Sequence, residues 1–170
     1  MFLRMLEKAS GSTRFAVGAL IYFGDRLLLV RKVRAMDMST APVAIEPEWD
    51  FPKGGIKSND RDPLSALLRE LKEELASEDF VVRAELPDLI FDFSNEVALR
   101  LGCHQQHTKM YLLEYCGDPN ALRPDDDEVD RIDFVSKLEA VRRASHLESR
   151  EYISRVFFNQ RSDHSGVLVS

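Results

Sequence analysis

The chain has 170 residues, enough for one globular domain with a single sizeable core and too few for a second full domain. Apolar residues make up 44% and charged residues 31%, the balance of an ordinary folded protein rather than a disordered or fibrous one. The formal charge of −6 argues against binding long nucleic acid over the whole surface and leaves room only for a local basic pocket.

Cys103 and Cys116 match neither a disulfide framework nor a C-x-x-C metal site, so both read as free thiols in a reducing compartment. The longest apolar runs, at 15–23 and 27–30, fall well short of the roughly 18 residues a membrane span needs. Residues 1–11 are broken by Arg4, Glu7 and Lys8 and show no small-residue cleavage site, which disfavours secretion and makes a cytoplasmic location the expectation.

In chain order, 14–33 reads as two β-rich runs around Gly24-Asp25, a dipeptide that favours a hairpin turn. Residues 35–48 contain Ser39, Thr40, Pro42 and Pro47 without sustained periodicity and are expected to form a long loop that carries specificity. Asp62 is placed to cap a helix that starts at Pro63, where a missing N–H costs nothing, and runs to about Ala76. At roughly 100° per residue, Leu64, Leu67, Leu68, Leu71 and Leu75 form one stripe that this helix would bury. Strands are expected at 80–86, 89–93, 109–115 and 129–135, with Pro87, Ser94 to Glu96 and Gly117 to Pro119 as punctuation. Ser136 with Glu139 forms a capping box for a helix over 137–143, a last helix follows at 148–158, and 159–170 is expected to fray.

The run Arg69-Glu70-Leu71-Lys72-Glu73-Glu74 carries the chemistry. Glu70, Glu73 and Glu74 fall within an arc of about 100° beside the leucine stripe, so three carboxylates converge at the edge of the core. Like charges at i and i+4 cost a helix a few tenths of a kcal/mol, roughly, a penalty that a bound cation reverses. Hard oxygen ligands suit Mg²⁺ or Mn²⁺. Taken alone, a glutamate-rich helix is usually just a solvated face.

With Gly54-Gly55 ahead of it, the run resembles the signature of the Nudix hydrolase family, G-x5-E-x7-R-E-U-x-E-E-x-G-U, where U is a bulky aliphatic. Gly55 begins the match and Arg69, Glu70, Glu73 and Glu74 fall at its spacing. The preceding WDFPKGG is similar to the lead-in of members that act on dinucleoside polyphosphates, diphosphoinositol polyphosphates or RNA 5′ ends. Three positions depart from the signature: Arg61 stands for its first glutamate, Ala76 for its late glycine and Ser77 for its last aliphatic. Asp60 and Asp62 flank Arg61 and can substitute in part, and with Ala76 the helix is expected to run on by a residue or so.

The resemblance implies an α+β fold, an αβα sandwich with a mixed sheet between helices, spanning residues 13–159 with an N-terminal segment at 1–12 and a flexible tail at 160–170. It implies a hydrolase acting on phosphoric anhydride bonds, cleaving a nucleoside diphosphate linked to another moiety, with a dinucleoside polyphosphate as the leading substrate. Glu70, Glu73, Glu74 and Glu128 would hold Mg²⁺ or Mn²⁺ together with the carbonyl of Gly54, while Arg69 orients the carboxylates. The general base stays open among Glu70, Glu73 and Glu128. Substrate cations are sought in Arg31, Lys32, Arg34 and above all Lys53; Trp49, Phe51 and Tyr22 can stack on a base, although such aromatics are more often core. His104 and His107 lack partners at a zinc spacing and read as exposed polar residues. Homodimers are common in the family, and no membrane partner is expected. The alternatives are an RNA 5′-end pyrophosphohydrolase and a non-catalytic nucleotide-sensing module; the three departures favour the latter and the intact glutamates oppose it.

Overall fold

Near-continuous apolar runs give the central strands two buried faces, and a computed structural model, which describes residues 12–35 and 43–159, places helices on both. The strands are β1 (Thr13–Phe23), β2 (Arg26–Ala35), β3 (Val43–Asp50), β4 (Lys53–Gly55), β5 (Phe80–Asp92), β6 (Gln105–Tyr115) and β7 (Val129–Ser136). The helices are α1 (Pro63–Leu75), α2 (Asn95–Leu101), α3 (Lys137–Arg143) and α4 (Leu147–Phe157). All seven strands join one mixed sheet of order β3-β2-β1-β6-β5, in which β1 and β6 run parallel while β4 pairs with β1 and β7 with β2. Val17, Ala19, Ile21, Leu28 and Val30 pack on Leu67, Leu71 and Leu75 of α1. The opposite faces, through Leu20, Leu27 and Leu29, pack with Ala140 of α3 and Tyr152 and Ile153 of α4. The expected αβα sandwich is therefore observed. Among the described residues no helix is long and apolar enough to cross a membrane.

The sheet opens into a wedge beyond its first hairpin. β1 and β2 pair only near the turn, at Tyr22 with Leu27 and Phe23 with Arg26, and then diverge. β3 joins β2 and β4 joins β1, so the chain through Phe51 and Pro52 crosses the wedge between them. The Pro52 carbonyl accepts from the Ala19 N–H at 3.1 Å, which pins the crossing.

Several expectations need correction. Residues 43–48 belong to strand β3, not to a loop; Pro47 is compatible because β3 is an edge strand and has no ladder bond to lose on its open side. Residues 36–42 of that expected loop, the segment 1–11 and the tail from 160 lie outside the described residues. The two strands expected at 80–93 are one, β5, which accommodates Pro87 in a bulge between Leu86 and Leu89. Ser94 is not punctuation but the N-cap of α2, accepting from the Val97 N–H at 3.4 Å, and Gly102 closes that helix at φ 69°. Ser136 caps α3 as expected, but the Glu139 carboxylate turns to Arg143 at 3.2 Å, so only half of the capping box forms.

On α1, Asp62 caps through the Ser65 N–H and Pro63 takes the first position. Leu68 leaves the expected stripe and is 39% exposed, whereas Ala66 and Glu74 join the buried face. The helix does not run on: it stops at Leu75, and Ala76 adopts the left-handed conformation at φ 52° and ψ 35° that the family's glycine would take. An L-residue there costs roughly 1–2 kcal/mol; glycine removes that cost, less the penalty of its greater unfolded-state freedom. Ala76→Gly is accordingly expected to stabilise the chain by about 1 kcal/mol, read as a higher denaturant midpoint with unchanged slope. An unchanged or lower midpoint would refute the strain.

Candidate metal and nucleotide site

The site begins with a helix whose polar and apolar stripes share an edge. Because Glu74 lies one turn beyond Leu71 and beside Leu75, its carboxylate is drawn into the core edge and is only 2% exposed. Its Oε1 accepts from Lys32 Nζ at 3.2 Å, and its Oε2 is buried without a hydrogen-bond partner among the described residues. Burial pushes the Glu74 pKa up to about 7, against the pull of Lys32 and with a further push from Glu70 and Asp126.

Asp126 and Glu128 reach Glu74 because the acidic segment before β7 is tied down at several points. The Asp125 N–H donates to the Glu74 carbonyl at 3.1 Å, and the Val33 N–H, in the β2 bulge, donates to the Glu128 carbonyl at 2.8 Å. Asp126 Oδ1 in turn accepts from the N–H groups of Glu128 and Val129, at 3.0 and 3.1 Å. Glu74, Asp126 and Glu128 thus each offer a carboxylate oxygen within 4.8 Å of the other two. Burial raises the Glu128 pKa, opposed by Lys32 and reinforced by Asp126 and Glu70. Clustered, partly desolvated carboxylates repel one another, and the single positive charge of Lys32, bonded to Glu74 Oε1, leaves Glu74 Oε2 orphaned and the counter-charge short. An oxygen-ligated divalent cation supplies it, and the donor set suits a hard ion.

Arg69 organises the neighbouring part of α1. Its guanidinium donates to Asp60 Oδ1 at 2.9 Å and Oδ2 at 2.8 Å, to Glu70 at 2.6 Å, to Glu73 at 3.3 Å and to the Gly55 carbonyl at 3.2 Å. All five of its N–H groups are thereby used, and its pKa is raised, chiefly by Asp60. Asp60, also bonded by the Lys57 N–H at 2.7 Å, occupies the role that the departure at Arg61 left in question. Arg61 itself is exposed and pairs with Asp62 at 3.3 Å. Glu70 leans on Gly54, where a Cβ would overlap the Glu70 carboxyl carbon, so a larger residue there would push the Glu70 carboxylate aside. Glu73 lies outside the close cluster, half exposed between Arg69 and Lys57.

Beside the carboxylates opens a cavity of about 400 Å³ whose lining includes Glu128, Lys32, Lys53, Asp50 and His146. Lys53 is held by Asp50 at 2.8 Å and Ser149 at 3.3 Å, and Lys32 donates to the Lys53 carbonyl at 2.9 Å across the wedge between β2 and β4. Arg34 also lines the cavity. The other sequence candidates fall elsewhere. Arg31 alternates with Lys32 along β2, does not line this cavity, and pairs with Asp130 at 2.6 Å. Phe51 is fully buried against Tyr152, so it is core and not a stacking platform. Trp49 packs on the same core with Arg143 over its ring at 5.1 Å. Tyr22 pairs with Glu114 at 3.4 Å, and His104 and His107 sit beside Asp92 and Asp88. Sequence reading missed Asp126, hidden in a four-residue acidic run, and Arg14, Phe91, Phe93 and Arg100, which line the cavity. The pairing of Ser94 with Gly102 was the one available sign of the helix that carries Arg100.

A family model for the NUDIX domain matches residues 12–156, and the chain belongs to that family. It is 36% identical over 70 residues to the RNA pyrophosphohydrolase of a Nitratiruptor species, covering 41% of this chain and 44% of that relative, so the match spans under half of the relative's length. It is 30% identical over 134 residues to the RNA pyrophosphohydrolase of Gluconacetobacter diazotrophicus, covering 76% of this chain and 78% of the relative. Its fold is shared with a C. elegans Ap4A hydrolase, solved as a binary complex, at a TM-score of 0.61 and 17% identity over 84% of this chain and 94% of that one.

The Arg69–Asp60 pair makes the fold sensitive to acid. Hydrogen bonds from Arg69 and then from the Lys57 N–H lower the Asp60 pKa from 3.8 to about 2. A depressed carboxylate stabilises the fold above its ordinary pKa and loses that contribution as pH falls through the folded value. The stability gap between the native chain and Asp60→Asn is expected to be constant above about pH 5 and to close between about pH 4 and pH 2. Denaturant midpoints across that range check it; a gap that persists undiminished at about pH 2 would refute the pairing.

Proposed function

We infer that this protein is a divalent-metal-dependent pyrophosphohydrolase acting on a nucleotide-linked polyphosphate, with Mg²⁺ or Mn²⁺ as the ion and a dinucleoside polyphosphate as the leading substrate. The observation that carries the reading is the buried, unpartnered Glu74 Oε2 within the Glu74–Asp126–Glu128 group, whose Glu128 lines a cavity together with Lys32 and Lys53. Bound there, a divalent ion neutralises anhydride charge and lowers the pKa of coordinated water. The chain supplies the rest. Glu74, Asp126 and Glu128 hold the ion, with Glu70, Glu73 and the Gly54 carbonyl as the further ligands that the family signature implies. Arg69 fixes the carboxylate of Glu70 through its 2.6 Å bond, and Lys32 and Lys53 present positive charge to the phosphates. Of the three candidates for the general base, Glu70, Glu73 and Glu128, we favour Glu128, which belongs to the carboxylate group and lines the cavity. Both cysteines are free, in keeping with a cytoplasmic enzyme.

A second reading, hydrolysis at an RNA 5′ end, is favoured by the names of the two sequence relatives, both RNA pyrophosphohydrolases. The two differ in substrate and not in chemistry. Hydrolysis of dinucleoside tetraphosphate and of 5′-triphosphate RNA, each with Mg²⁺, Mn²⁺ or chelator, separates them. Turnover is expected to disappear with chelator. Glu74→Gln is expected to weaken metal binding and raise the metal concentration needed for half-maximal rate. Glu128→Gln is expected to lower kcat by about 10²- to 10⁴-fold, whereas Glu70→Gln falls in that range instead if Glu70 is the base. Metal-independent turnover, or tight nucleotide binding with no turnover, would overturn the hydrolase reading, the latter in favour of a sensor.

A further inference from the structure

The cavity beside the carboxylates is balanced in charge. Among the described residues its lining carries five Lys and Arg side chains and five Asp and Glu side chains. Arginines and carboxylates are also interspersed and not sorted to opposite ends: Arg100 draws on Glu48 and Arg14 on Glu128. A polyphosphate chain entering such a cavity meets no net attraction from the permanently charged groups. The remaining ionisable group of the lining is His146, the one whose ordinary pKa lies near neutrality, so its proton decides whether the lining is neutral or positive.

The fold holds that proton in place. His146 stands at the junction of α3 and α4, and its Nε2 lies 2.8 Å from Glu48 Oε2 on β3. The junction is docked on β3 by bonds that do not titrate: the Ser145 N–H donates to the Trp49 carbonyl at 2.8 Å, and Ser145 Oγ accepts from the Trp49 N–H at 2.9 Å. The imidazole is therefore kept against Glu48 in either protonation state. The charged groups that act on it are Glu48 and Asp50 of β3 and Lys53 of β4, with Glu148 of its own helix lining the same cavity. The bond to Glu48 raises the His146 pKa, burial works against the rise, Asp50 adds to it and Lys53 subtracts from it. His146 thus stays charged above the pH at which a free histidine gives up its proton.

We propose that His146 sets the charge preference of the cavity: protonated and paired with Glu48, it leaves the lining net positive and favours a polyphosphate chain, and once deprotonated it leaves the lining neutral and binding weakens. The inference rests on the reading of the cavity as a polyphosphate site and adds what gives that site its charge. His146 is then a specificity-determining residue and takes no part in proton transfer to substrate. By linkage, an anion bound in the cavity favours the charged ring, so affinity is highest below the His146 pKa and falls as pH rises through it.

The test uses inorganic tripolyphosphate as the probe, with binding to the full chain measured by calorimetry from about pH 6 to about pH 9, a window that spans a raised histidine pKa. Native chain is compared with His146→Gln and His146→Lys at each pH, which cancels the titration of the probe and of groups common to all three. His146 is the N-cap of α4 but makes no side-chain cap bond, so neither substitution removes a cap. The native chain is expected to bind about tenfold more tightly than His146→Gln at the acid end, the equivalent of one pKa unit, and equally at the alkaline end. His146→Lys, charged throughout, is expected to keep the tight binding at about pH 9. Glu48→Gln removes the histidine's partner and one negative charge, so it is expected to bind more tightly and to move the pH step downward. The proton NMR titration of the His146 ring is expected to shift to higher pH when tripolyphosphate is added. A native-to-Gln ratio that does not change with pH, a Lys variant no better than the Gln variant at the alkaline end, or an unmoved ring titration would overturn the role of His146 and spare the polyphosphate site. Absence of tripolyphosphate binding at every pH would overturn both. Binding that follows His146 protonation, in a chain without metal-dependent turnover, would uphold the role of His146 and overturn the hydrolase.

Discussion

A carboxylate held in the edge of a hydrophobic core is the constraint on which the rest of the molecule depends. The α-helical repeat puts Glu74 next to Leu71 and Leu75, so burying the leucines, each worth about 1.5–3 kcal/mol, takes Glu74 out of water as well. A buried carboxylate must be neutralised or paired. Lys32 answers one oxygen and the other has no hydrogen-bond partner among the described residues, while the neighbouring carboxylates of Asp126 and Glu128 add negative charge and do not remove it. The fold therefore builds a local excess of carboxylate that only a cation from outside, or a proton, can relieve. Stability and the demand for a counter-charge are set by the same burial.

The divergence of β1 from β2 is what gives that burial an outlet. Had the two strands stayed paired along their length, Lys32 would face a neighbouring strand and not the Lys53 carbonyl. The wedge admits the Phe51-Pro52 crossing, whose apolar side anchors in the second core while Lys53 and Gly54 are delivered to the site. Gly54 then leaves room for the carboxyl of Glu70, which a Cβ at that position would displace. Sheet topology, one buried phenylalanine and one glycine together set where the α1 glutamates can reach.

Much of this was legible in the sequence, and the failures have physical reasons. Hairpin, α1 with its Asp62 cap, and the glutamates on the core edge follow from local periodicity and capping, which act within a few residues. β3 was unreadable because an edge strand keeps solvent on one side and tolerates Pro47, so its composition mimics a loop. Phe51 and Trp49 looked like ligands because their neighbours belong to the signature, but whether an aromatic ring faces substrate or core is decided by the helices that close the second core, far along the chain. Asp126 is one of four adjacent acids, and only the contacts with the Glu74 carbonyl and the β2 bulge single out two of them.

The Asp60–Arg69 pair shows why a departure from a signature need not be a loss of function. The signature records residues at fixed spacing, whereas the site needs an acceptor at a place in space that holds both arms of the Arg69 guanidinium. Here that acceptor comes from one position earlier, because Asp60 sits in a turn closed by its own backbone bond to the Lys57 carbonyl at 3.0 Å and by the Lys57 N–H on its carboxylate. Arg61 is thereby released to solvent, where its charge harms nothing. Ala76 is the opposite case: the backbone geometry that glycine normally supplies is retained, with strain in place of freedom. In both, the three-dimensional requirement survives and the residue that meets it changes, which is why the geometry around Arg69 and Glu74 is a firmer guide to activity than the spelling of the motif.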